Sequence, residues 1–296
     1  MLQKILVTGA NGQLGKSLQE IAPQFAEQFS FIWTDVAELD ITNKKAICDC
    51  LQKNDARFLI NAAAYTAVDK AESDVDKAYL LNETAVRNLA EAAAENDAFL
   101  IHISTDYVFD GNGTTPYTPD CQPNPISIYG KSKWAGEQAI HQTGGHAAIV
   151  RTAWLYSPYG NNFVKTMLRL ADTRDSINVV SDQIGCPTLA KDLAEFLMCI
   201  VKNNAKIQGV ETFHFANRGR ISWYDFTCEI LRLANKSCPV HPITTQEYPT
   251  AAERPNFSVF DLSKSSLFFH YEIPEWQDSL KEVLPQIIYN YENDIR

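Results

Sequence analysis

Residues 8–15 read TGANGQLG and stand between an apolar run, Ile5-Leu6-Val7, and an amphipathic stretch from Gln13 to Phe25. Short apolar runs are typical of buried strands, and apolar residues at intervals of three to four are typical of helices. The three glycines in TGANGQLG lack a Cβ, so the chain can turn tightly and the helix can pack closely on the strand. These residues therefore predict a strand, a tight turn and a helix in succession.

The same alternation continues along the first half of the chain. Further apolar runs begin at Phe31, Phe58, Phe99 and Ala148, and amphipathic stretches such as Asp74–Glu95 lie between them. Strands that alternate with helices predict βαβ units, and hence an α/β fold with a doubly wound parallel (Rossmann) sheet.

The pattern loosens after about residue 155. Helices are predicted near residues 162–171, 189–201, 223–234 and 276–289, and a strand is predicted at 212–216. We therefore expect a Rossmann domain at 1–155 and a smaller C-terminal α/β lobe at 156–296, some elements of which can return to the first sheet.

Composition excludes several classes of protein. The 296 residues carry 26 Lys plus Arg against 36 Asp plus Glu, a formal charge of −10 that disfavours nucleic acid as a partner. No segment approaches the roughly 20 apolar residues that cross a bilayer, so we expect a cytoplasmic protein without membrane attachment. Seven scattered cysteines indicate neither a disulfide framework nor a zinc site, and no metal site is predicted.

The glycine turn is the first candidate functional feature. Its spacing, GxxGxxG, is a weak signal alone and also suits a plain strand-to-helix turn. Asp35 ends the second strand 20 residues after Gly15, where a carboxylate can accept hydrogen bonds from ribose hydroxyls. Together they predict a dinucleotide site. Its candidate residues follow the first three strands in order: Gly9, Gly12, Gly15, Asp35, Asp40, Ile41, Ala64, Tyr65 and Thr66.

The second candidate feature is a tyrosine with a lysine four residues later, a spacing that only Tyr129 and Lys133 show among the 12 tyrosines. On a helix both side chains share one face. A nearby ammonium stabilises a phenolate, so Tyr129 becomes a usable proton donor. Thr105 ends the fourth strand, where ligands bind in open α/β folds, and its hydroxyl can polarise a substrate carbonyl.

In its motifs the chain resembles the extended short-chain dehydrogenase/reductases and, within them, the dTDP-4-dehydrorhamnose reductases. The resemblance covers nearly the whole chain. Its motifs are TGANGQLG at 8–15, NAAAYTAVDKAE at 61–72, ISTDYVFDG at 103–111, YGKSK at 129–133, RTAWLY at 151–156, GNNFVKTML at 160–168, SDQIGCPT at 181–188 and RPNFSVFDLSK at 254–264.

The resemblance implies reduction of the 4-keto group of a dTDP-linked 6-deoxyhexulose by NADPH or NADH, as the last step of dTDP-L-rhamnose synthesis. It implies that Thr105, Tyr129 and Lys133 are catalytic. It implies that Tyr129, Lys133, Gln13 and Leu14 contact the cofactor, and that Thr105, Asp106 and Trp154 contact the substrate. Asn82 matches a structural or relay asparagine. A nucleotide sugar is the expected partner, and a homodimer is one assembly that the resemblance allows.

Two alternatives remain open. Another nucleotide-sugar reductase or epimerase would share the catalytic set on the same fold, since the pocket decides the substrate. A non-catalytic, cofactor-binding regulatory subunit, like the one that accompanies methionine adenosyltransferase, also resembles this family. Arg254 is a candidate for binding the anionic part of a substrate, although a surface ion pair is its simpler role.

Overall fold

The computed structural model describes residues 2–294. The first residue of the predicted range 1–155 and the last two of the predicted range 156–296 therefore lie outside the described residues. The strands are β1 Gln3–Thr8, β2 Phe29–Trp33, β3 Ala56–Asn61, β4 Phe99–Thr105, β5 Ala147–Thr152, β6 Leu155–Tyr156, β7 Ile177–Val180, β8 Ile184–Gly185, β9 Thr188–Leu189, β10 Val210–His214, β11 Ile221–Ser222 and β12 Val240–Ile243. The helices are α1 Gln13–Ile21, α2 Lys44–Asn54, α3 Val68–Ala71, α4 Val75–Tyr79, α5 Ala85–Glu95, α6 Ile128–Thr143, α7 Phe163–Thr173, α8 Ala190–Asn203, α9 Trp223–Leu233, α10 Ser263–Phe269 and α11 Trp276–Asp294.

A six-stranded parallel sheet confirms the predicted α/β fold. Its strand order is β10-β5-β4-β3-β1-β2, so the chain leaves β1 toward β2 on one side and returns to β3 on the other. This reversal opens a crevice at the carboxyl ends of β1 and β3, the place where open α/β sheets bind ligands. Thr8 lies opposite Asn61 at that edge.

Alternating side chains of the strands build two apolar layers. Ile5 and Val7 of β1 pack with α1 and α8 on one face, whereas Leu6 packs with α2, α5 and α6 on the other. Side chains in a strand alternate between faces, and both faces here are covered by helices, so the strands are apolar throughout.

The later part of the chain contributes to both lobes. β10 pairs with β5 at one edge of the large sheet, and α8 lies against α1. A separate core forms between α7, α9 and α11, which bury Leu168, Phe226 and Leu284. Three small two-stranded sheets surround that core. No helix among residues 2–294 combines the length and apolar character that a bilayer-spanning segment needs.

The stretch predicted as one helix, Asp74–Glu95, is interrupted. A π-helical turn at Leu80–Thr84 separates α4 from α5. Asn82 in this turn accepts a hydrogen bond from the Tyr65 backbone N–H at 2.9 Å and donates to the Tyr65 carbonyl at 3.1 Å and to the Ser132 hydroxyl at 3.1 Å. A periodic apolar pattern cannot reveal such a turn, because these bonds join residues 17 and 50 positions away.

Candidate active site

A cavity of about 800 Å³ occupies the crevice and is lined by residues of both lobes. It brings together most of the predicted site residues, namely Gly9, Gly12, Gln13, Leu14, Asp35, Asp40, Ile41, Ala64, Thr66, Thr105, Asp106, Tyr129, Lys133 and Trp154. A shallower depression at the opposite ends of the strands, near Leu2 and Lys202, contains none of them.

Two predicted residues lie elsewhere. Gly15 packs behind the turn, where an added Cβ would stand 2.4 Å from the Gly9 carbonyl oxygen, so its role is close packing of α1. The Tyr65 side chain points toward α4, where its hydroxyl donates to Asp74 at 3.1 Å. Its backbone is buried against Asn82, and the two neighbours of Tyr65, Ala64 and Thr66, line the cavity instead.

The glycine turn fits a pyrophosphate. Gly9 has a positive φ of +69°, and an added Cβ would stand 2.6 Å from the Ala63 backbone nitrogen. Gly12 is the N-cap of α1, and no described side chain caps this helix. The first-turn N–H groups of an α-helix lack intrahelical partners, so those of α1 are placed to hold phosphate oxygens.

The carboxylates beyond the turn are held by backbone amides. Asp35 accepts from the Asn11 N–H at 2.9 Å and from the Val36 N–H at 2.8 Å. Asp40 accepts from the backbone and hydroxyl of Thr42, and these bonds lower the pKa of Asp40. Asp35 therefore stands fixed at the cavity wall, at the end of the second strand where a ribose hydroxyl acceptor is predicted.

Tyr129, the predicted catalytic tyrosine, stands in the first turn of α6. This helix begins after Ser127, whose hydroxyl accepts from the Gly130 N–H at 3.2 Å. The Tyr129 side chain is hydrogen-bonded to Thr105. Burial raises the pKa of Tyr129 to about 12. Tyr129 therefore holds its proton at neutral pH in the ligand-free protein.

Thr105 links Tyr129 to a buried carboxyl group. Its hydroxyl donates to Asp106 at 3.0 Å and accepts from the Tyr107 N–H at 3.2 Å. Burial raises the pKa of Asp106 to about 6, while a hydrogen bond with Ser258 opposes the shift. Sequence reasoning missed Ser258: it lies within the motif RPNFSVFDLSK at 254–264, but it is separated from Asp106 by more than 150 residues, and nothing in the motif indicates that partner.

The lysine lies one helical turn beyond Tyr129. Its Nζ donates to the Ile103 carbonyl at 2.6 Å and stands 3.4 Å from His102 Nε2. Burial lowers the pKa of Lys133 to about 8, and the charge of Glu137 opposes that shift. Glu137 itself pairs with buried Arg151 of β5 at 2.7 Å, which anchors α6 on the sheet.

Trp154 is held by its surroundings. Its backbone has a φ of +48°, a left-handed conformation that costs a bulky residue of order 1–3 kcal/mol. Its ring stacks on Trp223 with centroids 3.4 Å apart, and an added Cβ at Gly185 would stand 2.6 Å from the indole. The surrounding lobe thus fixes an aromatic face at the cavity wall.

Arg254 is ion-paired with Asp69, with Nη2 2.6 Å from Oδ2. It is not among the residues that line the cavity, and the pairing matches the simpler of its two predicted roles. Within residues 2–294 no three His, Cys, Asp or Glu side chains gather as a metal site would require.

Fold and site together define the class. A glycine turn at the switch point of a parallel sheet, followed by Thr105, Tyr129 and Lys133 in the same cavity, is the arrangement of a dinucleotide-binding oxidoreductase of the short-chain dehydrogenase/reductase type. The model of the RmlD substrate binding domain matches residues 3–288, so the chain belongs to that family.

Similar proteins agree with this assignment. The chain is 41% identical over 290 residues to a dTDP-4-dehydrorhamnose reductase of Aggregatibacter actinomycetemcomitans, covering 95% of this chain and 98% of the relative. A crystal structure of a dTDP-4-dehydrorhamnose reductase from Clostridium acetobutylicum is 43% identical, with a TM-score of 0.91 over 97% of this chain and all of that one. A structure of the Bacillus anthracis enzyme in complex with NADP is 40% identical with the same TM-score and coverage.

Proposed function

We propose that the chain is a dTDP-4-dehydrorhamnose reductase, which reduces the 4-keto group of dTDP-4-dehydro-L-rhamnose to give dTDP-L-rhamnose. The observation that carries the proposal is the convergence of Thr105, Tyr129 and Lys133 in one cavity with the glycine turn. The full-length similarity to enzymes of that name supplies the substrate.

NADPH or NADH, when bound along the glycine turn, supplies the hydride. Tyr129 donates its proton to the oxygen of the former carbonyl, and the Thr105 hydroxyl polarises that carbonyl beforehand. Lys133 has two roles: it holds the nicotinamide ribose, and its charge lowers the pKa of Tyr129 once the site is filled. The anchoring of α6 through Glu137 keeps Tyr129 and Lys133 in a fixed relation.

The substrate is proposed to lie against the second lobe. Asp106 accepts hydrogen bonds from sugar hydroxyls, and the fixed indole of Trp154 packs against the ring. In this proposal residues 1–155 bind the dinucleotide and also supply Asp106 and Trp154. The lobe at 156–296 orients the sugar by holding the Trp154 ring through Trp223 and Gly185, although β10 of that range belongs to the large sheet. The homodimer, the cytoplasmic location and the exclusion of nucleic acid stay predictions from the sequence.

The test is oxidation of NADPH and NADH by the purified chain with a panel of dTDP- and UDP-linked 4-ketosugars. We expect turnover with dTDP-4-dehydro-L-rhamnose and a much lower kcat/KM for the free 6-deoxy-4-ketohexose, because remote binding energy positions the carbonyl. Equal kcat/KM for the free and the nucleotide-linked sugar would reject a nucleotide-sugar enzyme.

The same panel separates the alternatives. Preference for a different ketosugar, or product in which another carbon is inverted, would indicate a different reductase or an epimerase. Cofactor binding without turnover of any sugar would indicate a regulatory subunit.

A further inference from the structure

A buried chain of polar side chains runs from the glycine turn to the catalytic lysine. The Thr8 hydroxyl donates to Asn61 Oδ1 at 2.7 Å, Asn61 Nδ2 stands 3.0 Å from His102 Nδ1, and His102 Nε2 stands 3.4 Å from Lys133 Nζ. All four residues are at most 2% exposed. Neither the catalytic mechanism nor the sequence motifs assign a role to His102.

A backbone amide decides which way the asparagine is turned. The Ala63 N–H donates to Asn61 Oδ1 at 3.2 Å, and an N–H can point only at an acceptor. The Asn61 amide nitrogen therefore faces His102, so His102 Nδ1 accepts a hydrogen bond and carries no proton. Burial holds the pKa of His102 well below its usual value, so the ring is neutral and its one proton sits on Nε2.

This tautomer directs an N–H at Lys133. A protonated lysine offers donors alone, so its ammonium and the His102 N–H repel each other, whereas a neutral amine accepts from that N–H through its lone pair. The charge of Glu137, which pairs with Arg151, acts in the opposite direction and favours the lysine cation, and Tyr129 and Asp106 line the same cavity as Lys133. The His102 N–H thus acts in the same direction as the burial that lowers the pKa of Lys133.

We propose that His102 is a positioning residue for Lys133: fixed in one tautomer by Asn61 and Thr8, it presents an N–H to the lysine amine. This N–H favours the neutral amine and so sets the upper pH at which Lys133 keeps the charge that acts on Tyr129. The role in turnover rests on the proposed function, whereas the effect on Lys133 is a property of the protein alone. The glycine turn and the catalytic lysine are thereby coupled through one buried chain.

The first test reads both groups in the ligand-free protein by NMR. The ¹⁵N shifts of His102 should report the proton on Nε2, and a ¹³Cε titration of Lys133, assigned by its loss in Lys133→Met, gives the lysine pKa. Asn61→Asp places an acceptor opposite Nδ1 and should move the proton there, so that Nε2 accepts from the ammonium. We expect the Lys133 midpoint to rise by about one pH unit.

The second variant separates the tautomer from the charge that Asn61→Asp adds. His102→Leu removes the N–H and should also raise the Lys133 midpoint, and in that background Asn61→Asp should raise it by less than half as much as in the wild type. His214→Leu is the matched control, since His214 is equally buried but bonds the Tyr117 carbonyl at 3.0 Å, and its Nε2 stands 3.5 Å from Arg151 rather than beside Lys133. It should leave the Lys133 midpoint unchanged.

Activity provides the third readout. The alkaline limb of kcat should move to higher pH in Asn61→Asp and His102→Leu, by the shift that NMR measures, and should not move in His214→Leu. A proton on Nδ1 in the wild type, or a Lys133 midpoint that stays fixed in Asn61→Asp, would overturn the proposal; the latter decides the matter even if His102→Leu does not fold. Absence of ketosugar reduction alongside the expected NMR shifts would reject the function and leave the coupling intact.

Discussion

Replacement of Tyr129 by Phe isolates the proton donor. The ring is 9% exposed and its T-shaped contact with Tyr107, with centroids 5.3 Å apart, survives the change. The variant loses one hydrogen bond between neutral groups, to Thr105, so its free energy of unfolding should fall by no more than about 1 kcal/mol. Loss of a general acid lowers turnover roughly 10²-fold or more, which corresponds to a barrier higher by at least about 2.7 kcal/mol.

The expected loss of unfolding free energy and the expected rise of the kinetic barrier differ enough to be measured separately. We would measure kcat with both substrates saturating, cofactor affinity by fluorescence titration, and Tm. Expected are a kcat reduced at least 10²-fold, a nearly unchanged cofactor Kd and a small change in Tm. A kcat within threefold of the wild type would refute the assignment of Tyr129.

Tyr156→Phe is the matched control for this experiment. Tyr156 is 1% exposed, lies outside the cavity lining, and its hydroxyl has no hydrogen-bond partner among the described residues. Because Tyr156 lies outside the cavity lining, removal of its hydroxyl should leave kcat unchanged. Because an unpaired buried hydroxyl is costly, the removal should also keep or raise Tm. A large loss of kcat in this variant would mean that any buried Tyr→Phe change disturbs the site.

Three further outcomes are expected. Lys133→Met should raise the cofactor Kd and lower kcat together, because one side chain serves both tasks; a change in Tm alone would reduce Lys133 to a structural residue. NADH should be used at least as well as NADPH, because the fixed Asp35 carboxylate accepts from a ribose 2′-hydroxyl and repels a 2′-phosphate. Asp35→Ala should shift the ratio of the two kcat/KM values toward NADPH. An unchanged ratio would show that Asp35 does not face the ribose. Burial lowers the pKa of His102 and of His214, so the folded protein binds fewer protons than the unfolded chain below about pH 6.5. The stability that these two neutral histidines contribute is complete above that pH, and below it the free energy of unfolding should fall by about 1.4 kcal/mol per pH unit for each histidine. Urea unfolding of the wild type and of His214→Leu between pH 7.5 and 5.5 measures this fall. Equal slopes of unfolding free energy against pH for the two proteins would contradict the prediction.

Sequence alone determined the features that depend on near neighbours. Strand and helix periodicity, the glycine turn and the four-residue spacing of Tyr129 and Lys133 are local, because each is set by residues within one or two turns of chain. Parallel strands place their carboxyl ends at one edge, so the order of the strands was enough to bring Asp35 and Thr105 to the same cavity.

Tertiary structure decided what depends on distant partners. Tyr65 is adjacent to two cavity residues, yet its hydroxyl turns to Asp74 because Asn82 holds the backbone at that point. The tautomer of His102 is set by Asn61, 41 residues away, and the face of Trp154 is set by Trp223 and Gly185. Local sequence propensity does not predict such contacts, because the free energy that orients these side chains comes from packing and buried hydrogen bonds that exist only once the chain has folded.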